Sequence, residues 1–191
     1  MLIKRNIGGK ILWEGDTLIE ADLRGVDLRE ADLREADLTG ANLTGANLTG
    51  ANIYKANLTG ADFTGANLTG ANLRWADLKE ANLTGADLYK ANLTGANLID
   101  TNLTGAHLTE AYLTGANLTR TDFTGTNLTG ANLKWADFTK ANLRWTNLTE
   151  ADLTGANLTD ANLRWTNLRW TNLTDTNLTD TNLRPIFGPT L

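Results

Sequence analysis

Ala41-Asn42-Leu43-Thr44-Gly45-Ala46-Asn47-Leu48-Thr49-Gly50 states the same five residues twice, and the pattern extends far to either side. From Ala21 to Leu183 the chain repeats every five residues without an insertion or deletion. Thirty-three apolar centres run Leu23, Leu28, Leu33 and onward to Leu183, and the four that are not Leu are Ile53, Phe63, Phe123 and Phe138. Two residues before each centre stands Ala or Thr, Val26 excepted. One residue before it stands Asn or Asp, except at His107 and Tyr112, and the two residues after it are most often Thr-Gly.

A period of five fits neither a helix nor a straight strand. On a helix five residues advance ~500°, so the Leu row drifts ~140° per repeat and never builds a face. In a straight strand an odd period throws successive Leu residues to opposite sides. What remains is a short extended piece followed by a corner, repeated. The centre and the residue two before it then point inward together. Asn, Asp and Gly suit the corners, because they tolerate unusual dihedrals and bond locally to backbone. Stacking such corners makes a solenoid.

The run Ala41–Gly45, repeated with little change over 163 of 191 residues, resembles the pentapeptide-repeat family and its A(D/N)LXX pattern. The resemblance implies an all-β fold, a right-handed quadrilateral β-helix with four pentapeptides per coil. Periodicity alone supplies neither the hand nor the square section. Residues 61–83 match 121–143 at 17 of 23 positions, and that sixty-residue spacing equals three square coils or four triangular ones. The family decides for squares, which gives about eight coils. At ~4.8 Å between neighbouring strands the rod is ~40 Å long.

Three segments follow. Residues 1–20 are read as an N-terminal cap, with Leu2–Asn6 and Lys10–Glu14 as a hairpin around Gly8-Gly9 and Trp13 plugging the first coil. Residues 21–183 are the solenoid, and 184–191 a capping tail in which Pro185 stops pairing and Ile186 and Phe187 fold over the last Leu layer. Each buried large apolar side chain is worth ~1.5–3 kcal/mol, so the Leu columns dominate stability. An interior filled by side chains leaves no room for a substrate.

Composition excludes most chemistry. The chain has no Cys, Ser or Gln, and its one imidazole, His107, cannot hold zinc alone. No cofactor or metal is expected. Seventeen Lys and Arg against 22 Asp and Glu give −5, which argues against a nucleic-acid partner. No apolar run is long enough to span a membrane, and the first residues lack the apolar core of a signal peptide. Asn-Leu-Thr recurs throughout, so a bacterial cytoplasm is the expected home.

Five of the six Trp residues lie two after a centre and follow Arg or Lys. Residues twenty apart stack in a square solenoid, so Trp145 lies against Trp165, and Arg144, Arg164 and Arg184 form a ladder. With Arg169 and Trp170 these residues are the candidate interaction face, Arg144, Trp145, Arg164, Trp165, Arg169 and Trp170, because exposed aromatic and Arg side chains are common hot spots. Lateral packing on a thin rod is the plainer reading of the same residues. His107 and Tyr112 stand in outward slots with Glu110 and Arg120 near in sequence, and no triad is expected around the imidazole. Thr126, Thr146 and Thr166 are read as an interior hydroxyl column, and Asp100–Arg120 and Lys140–Asp160 as ion pairs between coils.

The function expected is a non-catalytic structural or protein-interaction rod whose partner the sequence does not name. One alternative, which the resemblance implies, is an acidic DNA mimic acting on a type II topoisomerase (gyrase). Another is an engineered consensus scaffold without a biological role. A monomer is expected, and a loose tail would instead let two rods meet end to end through their C-terminal layers.

Overall fold

The computed structural model describes residues 2–4, 11–14 and 18–184, with side-chain detail for the last of these segments. Backbone pairing is parallel and advances by twenty residues, from Asp22 with Asn42 to Asn157 with Asn177. Four pentapeptides therefore close each coil, which excludes the three-sided alternative. The fold is a right-handed quadrilateral β-helix. The faces are numbered here by their centres: face I carries residues 23, 43 and onward to 183, face II 28 to 168, face III 33 to 173 and face IV 18 to 178.

Each of the five amides of a standard repeat unit has an acceptor. Leu23 N–H donates to the Asn42 carbonyl of the next coil (2.8 Å), Gly25 N–H to Thr44 (2.9 Å), and Asn42 N–H returns to Ala21 (2.9 Å). Ala46 N–H closes the corner on the Leu43 carbonyl at 2.9 Å. The fifth amide, that of the residue after the centre, donates to the Asn or Asp side chain two residues earlier, as Thr44 does to Asn42 Oδ1 at 3.1 Å. That bond is why the slot holds Asn or Asp: a short side-chain oxygen satisfies an amide that no neighbouring coil reaches. At His107 and Tyr112 the slot lacks such an oxygen, and Thr109 and Thr114 lack the bond.

The corner residue is left-handed throughout, with φ between 54 and 68° at every fifth position from Glu20 to Asp180. Gly adopts this conformation most easily, yet Glu, Lys, Asp, Arg and Trp also occupy it, because the ladder bonds on both sides hold the corner in place.

Leu centres and small residues fill the interior, and Leu23 through Leu168 are essentially inaccessible. Phe123 and Phe138 meet inside, with ring centroids 5.6 Å apart at 48°. Interior Thr residues are satisfied: the hydroxyls of Thr126, Thr146 and Thr166 donate to the carbonyls of Leu103, Phe123 and Leu143 at 2.7 Å each. One expectation needs correction, since the interior is not filled to the end. Leu178 and Leu183 are 38% and 43% exposed, and the last two Leu layers enclose a cavity of about 100 Å³ lined by Leu148, Leu163, Leu183 and their layer mates.

Near the N-terminus β1 (Leu2–Lys4) pairs antiparallel with β2 (Ile11–Glu14), within the two strands that the sequence predicts, whose remaining residues lie outside the described ones. β3 (Asn162–Arg164) and β4 (Asn182–Arg184) continue the parallel ladder on face I. The expected plug by the Trp13 side chain and cover by Ile186 and Phe187 lie outside the described residues.

Candidate functional site

The corner between faces I and II carries the most distinctive side chains. For six coils it is glycine: Gly25, Gly45, Gly65, Gly85, Gly105 and Gly125. Then it becomes Trp145 and Trp165, whose rings stack with centroids 4.7 Å apart at 13°. The twenty-residue register puts one directly over the other, as the sequence predicts. Arg144 and Arg164 precede them on face I, with guanidinium carbons 5.3 and 4.4 Å from the Trp165 centroid. Across face II, Arg169 lies 4.0 Å from the Trp170 centroid. Trp145 is 51% exposed and Trp170 53%, while Trp165 is half-buried between its neighbours. The structure thus brings Arg144, Trp145, Arg164 and Trp165 into one pillar and sets Arg169 and Trp170 on the next corner.

The arginines divide into two classes. Arg24, Arg29, Arg34 and Arg120 each grip a carboxylate, Arg34 through Nε and Nη2 on Asp32 at 2.7 and 2.6 Å. Arg24 does the same to Asp22, and these hydrogen bonds hold the Asp22 carboxyl down at about 2. In contrast, no guanidinium N–H of Arg74, Arg144, Arg164, Arg169 or Arg184 donates to a described residue, and Nε of Arg144 and Arg164 is shielded without an acceptor. Of the two predicted ion pairs between coils, Arg120–Asp100 forms at 2.5 Å, but Lys140 and Asp160 make none among the described residues. Lys134 instead reaches Asp152 at 3.1 Å.

Two relationships escaped the sequence reading. Trp75 lies over Gly95 and Trp135 over Gly155; a Cβ on either glycine would come 2.5 Å from the indole above or below it. The signal was present, since each Gly follows its Trp by one coil. His107 also has partners that were not expected. Its Nε2 stands 2.8 Å from Thr109 Oγ1 and its Nδ1 3.3 Å from Asp87 Oδ1, while Tyr89 stacks on the ring at 6.2 Å. Glu110 is nearby but pairs with Lys90 at 3.3 Å, and Arg120 faces Asp100 instead.

Carboxylate, imidazole and hydroxyl therefore stand in the order of a hydrolytic triad, which the sequence reading had excluded. The contact with Thr109 is nevertheless the repeat's ordinary bond between the residues flanking a centre, with imidazole in place of Asn. The His107 side chain is half exposed on an open face, without the enclosed, donor-lined space that a tetrahedral intermediate requires. No group of metal-ligating side chains occurs among the described residues. No helix is long and apolar enough to cross a membrane among those residues.

The family described as Pentapeptide repeats matches residues 18–60, 56–95, 91–130, 106–144, 126–164, 136–175 and 161–184. Among solved structures, the chain is similar to HetL, a pentapeptide repeat protein involved in heterocyst differentiation regulation from the cyanobacterium Nostoc sp. strain PCC 7120. That match has 35% identity and a TM-score of 0.69, and it covers 88% of this chain and 85% of that one. It also resembles a pentapeptide repeat protein of the Arabidopsis thaliana thylakoid lumen, at 33% identity and TM-score 0.44 over 61% and 68% of the two chains. A third likeness is QnrB1, a plasmid-mediated fluoroquinolone resistance protein, at 19% identity and TM-score 0.43 over 86% and 90%. No curated protein matches. With its parallel twenty-residue register, its matched repeats from residue 18 to 184 and a Nostoc relative over most of its length, the chain belongs to the pentapeptide-repeat family.

Proposed function

We infer that the protein is a non-catalytic interaction rod: a rigid scaffold that presents side chains at fixed heights and angles to another protein. The observation that carries this reading is the exposed Trp145–Trp165 stack on a rod whose interior, below the last two Leu layers, is filled by side chains. Outside the repeats of His107 and Tyr112, all five amides of a repeat are already bonded along the coils, so the surface gains little by rearranging and docks as built. The regulatory description of the Nostoc relative supports the reading, because a regulator works by contact. The acidic DNA-mimic alternative draws no support from charge. A ~40 Å duplex carries more than ~20 negative charges, against a net of −5 here, with Arg and Lys interleaved. An engineered scaffold would share the monotonous repeats, but it gives no account of the clustered arginines without carboxylates. The bacterial cytoplasm is the compartment proposed.

The test is site-specific photo-cross-linking from the whole chain in cells, with the cross-linker placed in turn on each face. One partner reached reproducibly from one face is the expected result. Absence of any partner from all four faces rejects the module. So does hydrolysis of p-nitrophenyl acetate that is abolished by Thr109→Val, which would make the Asp87–His107–Thr109 row an active site.

A further inference from the structure

The corner between faces I and II combines three features, and together they define a partner. Its lower six positions are glycines, and an added Cβ at any of them would meet nothing within 4 Å. Conformation does not demand glycine there, because the same left-handed corner accepts Trp, Glu, Lys and Asp on the other edges. Elsewhere glycine never occupies more than two consecutive coils of a corner. The second feature is the Trp145–Trp165 stack, which ends the smooth edge like a post. The third is charge: Arg144 and Arg164 beside that post, and Arg169 across face II, have no carboxylate partner among the described residues, although the chain as a whole is acidic.

Resting on the interaction-module reading, we propose that this edge is the docking line for an acidic, extended segment of a partner protein. The segment lies against the glycine edge parallel to the rod axis, and its carboxylates meet the guanidinium groups of Arg144 and Arg164, which flank the indole stack on that edge. Glycine permits close approach of backbone to backbone, and the indoles offer apolar area that needs no reordering. Seven coil steps of ~4.8 Å span ~34 Å, the length of about ten extended residues at ~3.3 Å each. Planar guanidinium groups favour carboxylates that bind with two oxygens.

The probe is a fluorophore-labelled decapeptide of alternating Glu and Gly, titrated into the full chain with binding read from tryptophan quenching and peptide anisotropy. Saturable binding that weakens at least tenfold between 50 and 300 mM salt is expected. The double substitution Arg144→Gln/Arg164→Gln and the single Gly85→Trp should each weaken it at least tenfold. Arg120→Gln, on another corner, should leave it unchanged. Gly85→Trp keeps the fold, since Trp75 occupies an equivalent corner at φ 59°, and circular dichroism verifies this for each variant. Equal loss in the Arg120 variant, no loss in the other two, no binding at all, or equal affinity for a decamer of deoxythymidine overturns the proposal. If the cross-linking experiment finds a partner reached only from faces III or IV, the module reading stands and this docking line is wrong.

Discussion

The Thr126 hydroxyl donates to the Leu103 carbonyl, twenty-three residues back, at 2.7 Å. The same carbonyl already accepts the Ala106 amide at 3.0 Å, so the hydroxyl uses its second lone pair. Thr therefore replaces Ala inside the rod without leaving a buried polar atom unpaired. Thr126→Val keeps the volume and removes the bond. It should cost about 0.5–1.5 kcal/mol in equilibrium denaturation, and Thr126→Ser should recover most of the polar part. No change on Thr126→Val would show that the hydroxyl contributes nothing net.

Tyr112 occupies a slot whose other residents, His107 apart, supply a side-chain oxygen to the amide two residues on. Thr114 consequently lacks that bond, and its hydroxyl turns to Asn132 Oδ1 at 3.1 Å. Tyr112→Asn restores the acceptor and should raise stability by about 1 kcal/mol. A lower melting temperature would mean that the half-exposed phenol ring packs more usefully than its position suggests.

Gly95 and Gly115 share one corner and similar φ values, 67 and 63°, but only Gly95 lies beside an indole. Alanine at Gly115 should cost about 1 kcal/mol, the ordinary penalty for a left-handed non-glycine residue. At Gly95 the same change also displaces Trp75, so the loss should be larger by about 1 kcal/mol or more. Trp75→Ala combined with Gly95→Ala should erase the excess. Equal costs at the two glycines would show that Trp75 swings aside freely.

Acid should loosen the coils that carry arginine-paired carboxylates, the first coil among them. Asp22 is held down to about 2 by hydrogen bonds from the Arg24 side chain and amide, and Asp32 and Asp100 are lowered by the guanidinium groups of Arg34 and Arg120. A lowered folded-state value stabilises at pH above the unfolded carboxylate's ~3.9 and loses that contribution as pH falls toward the folded value. For Asp22 the window runs from about 4 to about 2. Amide exchange of residues 22–34 should accelerate across that window in the wild type and much less in Asp22→Asn. These pairs are exposed, so 0.5 M salt should flatten the difference.

The solenoid was legible because one residue type cannot serve two environments. Thirty-three uninterrupted apolar centres exclude a helix and a straight strand without reference to any structure. The number of sides was not legible from periodicity, since a sixty-residue echo divides equally well by fifteen and by twenty; it took the family resemblance, and then the observed pairing of Asp22 with Asn42, to settle it. Once the register is known, neighbours follow by adding twenty, which is how the stack of Trp145 on Trp165 was predicted. Side-chain choice beyond that step was harder. Lys134 selects Asp152 on the same face, while Lys140 passes over Asp160 directly along its corner. The His107–Asp87 contact also follows the twenty-residue step, but the Thr109 contact depends on the local bond across a centre, whose existence became clear only from the repeated Asn–Thr geometry.

The twenty-residue register also makes angular position an arithmetic property of the chain. A residue's height follows from its number divided by twenty, and its direction from the remainder. Deleting one pentapeptide between Gly125 and Trp145 would leave every local bond type available, yet turn all that follows by a quarter of a revolution. The indole post would then stand over a different edge from the glycines below it. A lineage of such rods can thus re-aim a contact by slipping five residues, with no substitution at the contact itself.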